Sequence, residues 1–284
     1  MTNKKITFIC VGAQKAGTTT LHNILRQHSE IFLPQNKEIP FFHDDNKFQK
    51  GIDWWLKENY HNVKHEKAIG VVNPEYLFFP KACERIYKHL GPDIKIIIIL
   101  RNPVERAYSH YMMNIRRGIE NLSFEDALSE EKNRLTRSDY KKHYSYISRS
   151  LYSSQINRFL TTFTKENFLF LSFENDIIKN RDLTLKKIED FLGVNHENIN
   201  VNIKSNTSKE SIFPSINKII FGKNKIVKFI ANILFSKKMK HNIATKIYNF
   251  NIKTNSREKV DEKTKKKLIK KYFKEDFYKT KKLL

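Results

Sequence analysis

The sequence has few cysteines and no long apolar run, and each absence excludes a class of protein. Two cysteines, Cys10 and Cys83, occur in 284 residues, too few for a disulfide framework or a cysteine metal cluster; we expect both in the core. No stretch reaches the roughly 18 apolar residues of a membrane-spanning helix. The apolar run from Ile6 to Val11 is too short for a secretory signal. We therefore expect a soluble, cytoplasmic protein.

Internal repeats and Pro- or Ser-rich linkers are also missing, so the sequence marks no clean domain boundary. A length of 284 residues suits one domain with an appendage. We expect a catalytic core over residues 1–203 and a basic helical extension over residues 204–284 that completes the same domain.

Acidic residues are scarce, and the resulting charge is uneven. The formal net charge is +23; residues 204–284 hold 23 Lys and Arg against 6 Asp and Glu, which leaves +6 for the first 203 residues. Such a tail suits nucleic acid, an anionic membrane or an acidic substrate, and charge alone does not choose among them. Within it, residues 216–235 mix apolar residues and lysines at helical spacing. That pattern fits an interfacial helix at the inner membrane face, or a helix packed on the sheet with its lysines in solvent.

Strand patterns alternate with helix patterns along the first 203 residues. The run ITFICVG precedes the helical pattern TTTLHNILRQH, and KIIIIL precedes RNPVERAYSHYMMNIRRG. Further candidates are the strands AIGVVNP and NFLFLSFE and the amphipathic helix TLKKIEDFLG. Alternation of this kind predicts an α/β fold, a three-layer P-loop NTPase-like parallel sheet flanked by helices.

The loop GAQKAGTT, which begins at Gly12, joins the first strand to the first helix. Glycines at such a junction let backbone N–H groups surround an anion, and the helix adds its positive N-terminal dipole. An ordinary P-loop places Lys directly after its second Gly, but here Thr18 follows Gly17 and the lysine lies inside the loop as Lys15. This displacement argues against an ATPase. The alternative for a short pattern is a tight turn without a ligand.

Two segments resemble those of a known family. GAQKAGTTTLHNIL looks like the 5′-phosphosulfate-binding loop of sulfotransferases that use 3′-phosphoadenylyl sulfate (PAPS), and ILRNPVERAYSHY looks like their 3′-phosphate-binding segment. KEIPFFHDDNKFQKGIDWW resembles the acceptor-side segment of heparan-sulfate and bacterial glycan sulfotransferases, and SLYSSQINRF and FLFLSFE continue the similarity. The resemblance covers residues 6 to about 194, and the terminal helix also looks like that of bacterial members.

The resemblance implies a donor site for PAPS and no metal. Lys15 would stabilise the charge that develops on the departing 5′-phosphate oxygen. The matching positions for the 5′-phosphosulfate are Lys15, Ala16, Gly17, Thr18, Thr19 and Thr20, although the threonines also suit helix capping. Those for the 3′-phosphate are Arg101 and Ser109, with Tyr152 near the nucleotide and the basic loop residues Lys204 and Lys209 above it. For Arg106 we favour a structural role over a ligand role.

On the acceptor side, the resemblance implies that Glu38 is the general base that removes a proton from the attacking hydroxyl or amine. The alternative is a surface carboxylate paired with Lys37. His43 and His110 are the fallback bases. The segment's aromatic residues are mostly expected in the core, with Tyr76 and Trp54 assigned, together with Glu38 and His43, to the acceptor site.

The sequence also departs from the family's pattern. Val72 stands where several glycosaminoglycan enzymes carry Lys, and Pro40 replaces a histidine found in some relatives. These differences favour a bacterial type of enzyme with a different acceptor. Two other functions stay open: a P-loop kinase or nucleotidase, which would require the missing GK[ST] pattern, and a nucleic-acid-binding protein driven by the basic tail.

Overall fold

The structure, a computed structural model, describes residues 5–137, 140–203, 209–211, 252–254 and 260–284. The chain divides into two compact units. The first comprises Met1–Arg106, Arg149–Ser205 and Lys266–Leu284, and the second comprises Ala107–Ser148 and Asn206–Lys265. The terminal helix groups with the first unit and residues 107–148 with the second.

The first unit is built on a parallel sheet. Its strands are β1 (Phe8–Gly12), β2 (Ile31–Phe32), β3 (Ala68–Val72), β4 (Lys95–Leu100) and β5 (Phe168–Ser172). They lie in the order β2-β3-β1-β4-β5, and each neighbouring pair is parallel. At the centre, Ile9 is in register with Val71 on one side and Ile96 on the other. The predicted parallel α/β sheet flanked by helices is confirmed.

The central strands are apolar because both of their faces are covered. Every residue of β1 is buried, and the four isoleucines of β4 have no exposed surface. Continuous β-branched runs of this kind are typical of strands between two helical layers. Cys10 on β1 and Cys83 are both buried and free, as expected for core residues.

Helices follow most of the strands. In the first unit they are α1 (Thr18–Leu25), α2 (Asp45–Phe48), α3 (Ile52–Tyr60), α4 (Pro80–Leu90), the start of α5 (Pro103–Arg116), α9 (Tyr152–Leu160), α10 (Arg181–Leu192) and α12 (Lys274–Leu283). Pro103 begins α5 as predicted, since proline suits the first helical position. Short helical turns at Lys165–Asn167, Phe173–Lys179 and Ile269–Phe273 complete the connections.

The terminal helix α12 is part of the first unit because it packs on α9. The Asp276 carboxylate accepts hydrogen bonds from the backbone N–H groups of Tyr152 (2.7 Å) and Ser153 (3.1 Å), and the Ser153 hydroxyl donates to it as well. A carboxylate at this position caps the N-terminus of α9 and complements its dipole. The C-terminal segment thus stabilises the helix that carries Tyr152.

The second unit contains the rest of α5 and several short elements. These are α6 (Phe124–Ser129), α7 (Glu131–Arg134), α8 (Lys141–Tyr144), the antiparallel strands β6 (Lys209–Ser211) and β7 (Ile252–Thr254), and most of α11 (Glu262–Leu268). Its buried polar centre is Glu120. The Glu120 carboxylate accepts hydrogen bonds from both terminal nitrogens of Arg134 and from the hydroxyl of Tyr146. Among the described helices of the chain, none has the length and apolar character needed to cross a membrane.

Candidate active site

The β1–α1 loop, residues 12–17, lies at the carboxyl end of a central strand, where parallel α/β sheets bind ligands. Gly17 has φ +88°, and a Cβ atom there would lie 2.8 Å from the Ile177 side chain. Glycine is therefore required on both conformational and steric grounds. The loop turns tightly enough to bring its backbone to the start of α1.

Lys15 adopts a left-handed conformation, with φ 70°. This region is sparsely populated by non-glycine residues, and such conformations cluster at functional sites where the surroundings enforce them. Two hydrogen bonds restrain this conformation: the Ala16 N–H donates to the Ala13 carbonyl oxygen at 3.1 Å across the turn, and Arg101 Nη1 donates to the Lys15 carbonyl oxygen at 3.0 Å. Arg101 follows β4, the strand beside β1, so the sheet itself brings the two predicted cations together.

The N-terminus of α1 is open to an anion. Gly17 occupies the cap position, and no side chain caps the helix. The first-turn N–H groups of an α-helix have no carbonyl partner within their own helix, and they carry the positive end of its dipole. Thr18 is buried, whereas Thr19 and Thr20 are half-buried. Lys15, Ala16, Gly17 and the threonines therefore lie together at this helix N-terminus, where an anion cradle was predicted.

Arg101 is held on three sides. Its guanidinium lies 4.5 Å above the Phe173 ring and 3.5 Å from the Glu105 carboxylate. The Tyr152 hydroxyl donates to the Arg101 carbonyl oxygen at 3.0 Å. Burial raises the pKa of Tyr152 to about 12, so this hydroxyl keeps its proton at neutral pH. Tyr152 thus lies beside the predicted nucleotide residues, and its hydroxyl acts on the Arg101 backbone.

Arg106 has the structural position that we favoured. It has no exposed surface, and its Nε donates to the Ser150 hydroxyl at 2.5 Å. That hydroxyl donates in turn to the Pro103 carbonyl oxygen at 2.9 Å. Ser109, the other predicted 3′-phosphate ligand, is half-buried on α5 in the part that belongs to the second unit.

Glu38 is the second non-glycine residue with a left-handed backbone, at φ 61°. Its N–H donates to the Val72 carbonyl oxygen at 3.2 Å, which ties the acceptor-side segment to the end of β3. The carboxylate forms an ion pair with Lys37, and its side chain is 49% exposed against 13% for Lys37. The pairing that we considered as an alternative therefore exists, and the carboxylate still faces solvent.

The other predicted acceptor residues differ in access. His43 is half-buried between the rings of Phe79 and Tyr76, at centroid distances of 5.4 and 5.5 Å. Tyr76 has no exposed surface, its hydroxyl donates to the Ile39 carbonyl oxygen, and burial raises its pKa. Trp54 is half-buried with Lys50 Nζ 4.5 Å from its ring. Tyr76 thus belongs to the aromatic core and presents no surface to an acceptor.

His110, the second fallback base, has no exposed surface and packs against the Tyr146 ring in the second unit. A group without access cannot take a proton from an external acceptor. Lys204 lies outside the described residues, as does the stretch 216–235, and for Lys209 the structure describes only the backbone of a strand. Over the described ranges, no group of three His, Cys, Asp or Glu side chains is placed to hold a metal ion.

Three polar residues at this edge of the sheet were not predicted from the sequence. Gln14 Nε2 donates to Glu75 Oε1 at 2.9 Å, and Arg149 Nη2 donates to Glu75 Oε2 at 2.7 Å. A signal for Glu75 was available, because it follows the buried strand β3 by three residues at the carboxyl edge of a parallel sheet. The pairing with Arg149, 74 residues away, had no sequence signal.

The sheet, the strained Lys15 and the open helix N-terminus define an α/β protein of the phosphate-loop class. The sequence matches the family described as "Sulfotransferase domain" over residues 5–281. The chain belongs to this family, which confirms the resemblance stated from its motifs and favours that interpretation over the kinase and nucleic-acid alternatives.

Individual relatives agree with the family. A solved sulfotransferase from Alicyclobacillus acidocaldarius superposes with a TM-score of 0.62 at 27% identity, covering 84% of this chain and 99% of that chain. The membrane-associated sulfotransferase kil1 of Dictyostelium discoideum is 36% identical over 38% of this chain and 23% of its own length. Heparan sulfate glucosamine 3-O-sulfotransferase 5 of Mus musculus is 29% identical over 56% of this chain and 45% of its own. The chain spans less than half the length of these two curated relatives.

Proposed function

We propose that the protein transfers the sulfonate group of PAPS to a hydroxyl or amine of a carbohydrate and releases adenosine 3′,5′-bisphosphate. The observation that carries the donor proposal is the strained Lys15, held by Arg101 beside an uncapped helix N-terminus. The carbohydrate proposal draws its support from relatives that are named as heparan sulfate sulfotransferases.

The donor residues present in the chain fit a nucleotide with two phosphate-bearing ends. Lys15, the backbone of Ala16 and Gly17 and the first turn of α1 would hold the 5′-phosphosulfate. Arg101 would bind the 3′-phosphate through its guanidinium. Ser109, Lys204 and Lys209 are further proposed 3′-phosphate ligands, and Tyr152 would keep the Arg101 backbone in place.

The chemistry requires a proton acceptor and a cation. PAPS, when bound, supplies a sulfonate group that the acceptor's oxygen or nitrogen displaces from the 5′-phosphate oxygen. The Glu38 carboxylate takes the proton of the attacking group. The Lys15 ammonium stabilises the negative charge left on the phosphate oxygen. Lys37 lies in a direct ion pair with this carboxylate.

The donor proposal is tested by calorimetric titration with adenosine 3′,5′-bisphosphate, beside ATP and AMP. We expect selective binding of the bisphosphate, and we expect Lys15→Ala and Arg101→Ala each to weaken it. The matched control is Lys67→Met, since Lys67 is an exposed lysine of the same unit that pairs with Glu30. Equal affinity of the wild-type protein for the bisphosphate and AMP would contradict the proposal.

The acceptor proposal is tested with sulfur-labelled PAPS and a panel of desulfated and N-sulfated glycosaminoglycans and bacterial capsular polysaccharides. We expect label in at least one polysaccharide, and we expect Glu38→Gln to lower its rate of formation by about 10²- to 10⁴-fold with unchanged bisphosphate affinity. The exposed Glu84 provides a control carboxylate. A Glu38→Gln enzyme that keeps its rate would eliminate Glu38 as the base.

A further inference from the structure

Six residues around the β1–α1 loop are joined by four hydrogen bonds and by the chain itself into a closed path, which we call the loop ring. Its members are Gln14, Lys15, Glu75, Arg149, Tyr152 and Arg101. Gln14 donates to Glu75, which accepts from Arg149. The chain continues from Arg149 to Tyr152, whose hydroxyl donates to the Arg101 carbonyl, and Arg101 returns to the Lys15 carbonyl. The loop ring thus begins and ends on Gln14 and Lys15, which are neighbouring residues of the β1–α1 loop.

Burial of the Glu75–Arg149 pair costs free energy, because two charges are removed from water. The two side chains are 8% and 2% exposed, and the guanidinium lies 4.3 Å above the Phe78 ring and 5.4 Å from the Phe79 ring. Within the described residues, Arg149 Nε and Nη1 have no hydrogen-bond partner. Desolvation of two charges offsets much of their attraction, so a buried ion pair is weak evidence for a purely stabilising role. The contacts of the pair therefore decide what role it can have.

The Glu75–Arg149 pair contacts the β1–α1 loop through Gln14. Glu75 is itself held in place by hydrogen bonds. Its backbone N–H donates to Asn73 Oδ1 at 3.1 Å, and Asn73 Nδ2 donates to the Ile39 carbonyl oxygen at 2.8 Å. Gln14 Nε2 donates to Glu75. In the described part of the chain, Gln14 Oε1 is buried without a hydrogen-bond partner, so Glu75 is the group that holds the Gln14 amide. The loop is therefore held from one side by Glu75 and from the other by Arg101.

The conformation of Lys15 requires support from its surroundings, because a left-handed non-glycine residue persists when the surrounding structure over-determines it. Within the loop, the Ala16 N–H donates to the Ala13 carbonyl oxygen at 3.1 Å across Gln14 and Lys15. From outside the loop, Arg101 restrains the carbonyl of Lys15, and Glu75 restrains the side chain of Gln14. The two outside contacts thus add to the turn and hold residues on both sides of the Gln14–Lys15 peptide.

We propose that Glu75, backed by Arg149, is a positioning residue that acts through Gln14 to keep Lys15 ready for the 5′-phosphate before the donor binds. This inference rests on the proposed use of PAPS. Preorganised cations avoid the reorganisation that a mobile loop would require on binding, and a displacement of 1 Å in such a site changes rates by up to about 10²-fold.

The test isolates the 5′-phosphate by comparing two ligands, adenosine 3′,5′-bisphosphate and adenosine 3′-monophosphate, which lacks that group. The variant is Gln14→Met, which removes the amide donor and leaves the buried ion pair intact. Changing Glu75 itself leaves Arg149 buried without its carboxylate, so its failure to fold would be uninformative. Calorimetry is done well below the unfolding temperature, where loss of stability alone does not alter affinity.

We expect Gln14→Met to weaken the bisphosphate by about tenfold, the equivalent of one lost charge-assisted hydrogen bond, and to leave the affinity for the 3′-monophosphate unchanged. Asn167→Leu is the control. Its buried amide donates to the Pro92 and Ile94 carbonyl oxygens at the opposite edge of the sheet, so it should lower the unfolding temperature and change neither affinity.

Two results would overturn the inference. One is a Gln14→Met protein with wild-type affinity for both ligands, and the other is an equal loss for both. Failure of the proposed function has a different signature, because the wild-type protein itself would then show no preference for the bisphosphate over AMP.

Discussion

Replacing Arg149 by Met should destabilise the first unit more than any surface ion-pair change. The substitution leaves the Glu75 carboxylate, 8% exposed, without the guanidinium 2.7 Å away. Removing one partner of a buried ion pair costs about 3–5 kcal/mol, because the remaining charge is desolvated and uncompensated. The double variant Arg149→Met/Glu75→Gln removes both charges, and we expect it to regain most of that loss.

The assay is urea unfolding followed by tryptophan fluorescence. Both tryptophans, Trp54 and Trp55, lie in the first unit, and Trp55 is wholly buried beside the Phe41 ring, so the signal reports on the unit that contains the ion pair. The control is Lys81→Met, which removes an ion pair with Asp45 whose side chains are 65% and 54% exposed. An exposed pair of this kind contributes about 1 kcal/mol or less.

The reasoning is refuted if Arg149→Met costs no more than Lys81→Met. It is also refuted if the double variant is less stable than Arg149→Met alone, because the loss would then come from packing or from the Gln14 contact and not from an uncompensated charge.

Three further predictions concern other parts of the chain. Burial by itself raises the pKa of the Glu120 carboxyl, but hydrogen bonds from Arg134, from two backbone N–H groups and from a tyrosine hydroxyl outweigh it, and the net pKa lies below 4.5. The folded-state pKa is therefore lower than that of the unfolded chain, so this group stabilises the fold above about pH 4.5 and loses that effect as the pH falls through the lower value. Glu120→Gln should flatten the fall of the unfolding free energy in this acidic range, and pH-dependent urea titrations that match wild type would contradict it. Burial raises the pKa of Cys10 to about 12 and also raises that of Cys83; we expect Ellman's reagent to label neither thiol at pH 7.5 until denaturant is added, and rapid native labelling would show that the strand is accessible. For the basic stretch 216–235, which the structure leaves undescribed, the membrane interpretation predicts cosedimentation with phosphatidylglycerol vesicles that disappears at high salt, and failure to sediment at low salt would remove that interpretation.

Much of the β1–α1 loop and its surroundings could be predicted because the signals are local. Gly17 and the threonines of α1 are adjacent in the chain, and their spacing alone indicates a strand, a tight turn and a helix N-terminus. The runs ending at Gly12 and Leu100 are apolar throughout, which indicates buried parallel strands and places the residues after them at one edge of the sheet. Lys15 and Arg101 lie close together because each follows one of these neighbouring strands at that edge.

The acceptor side was less predictable, because residue type does not specify exposure. Tyr76 and His110 were chosen for their chemistry, but both have no exposed surface. The aromatic ring of Tyr76 completes a cluster with Phe42 and His43, and packing of this kind depends on neighbours that no short pattern specifies.

By itself, the amino-acid sequence determined the class of fold, the position of the β1–α1 loop and the placement of Lys15 and Arg101 at one edge of the sheet, because these depend on periodicity and on residues close together in the chain. The tertiary structure alone decided how the loop is held. The contacts of Gln14 with Glu75, of Glu75 with Arg149 and of Arg101 with Lys15 join residues 61, 74 and 86 positions apart. Contacts at such separations are selected by the packing of strands and helices around them, and burial then makes each charge depend on the one partner within its reach.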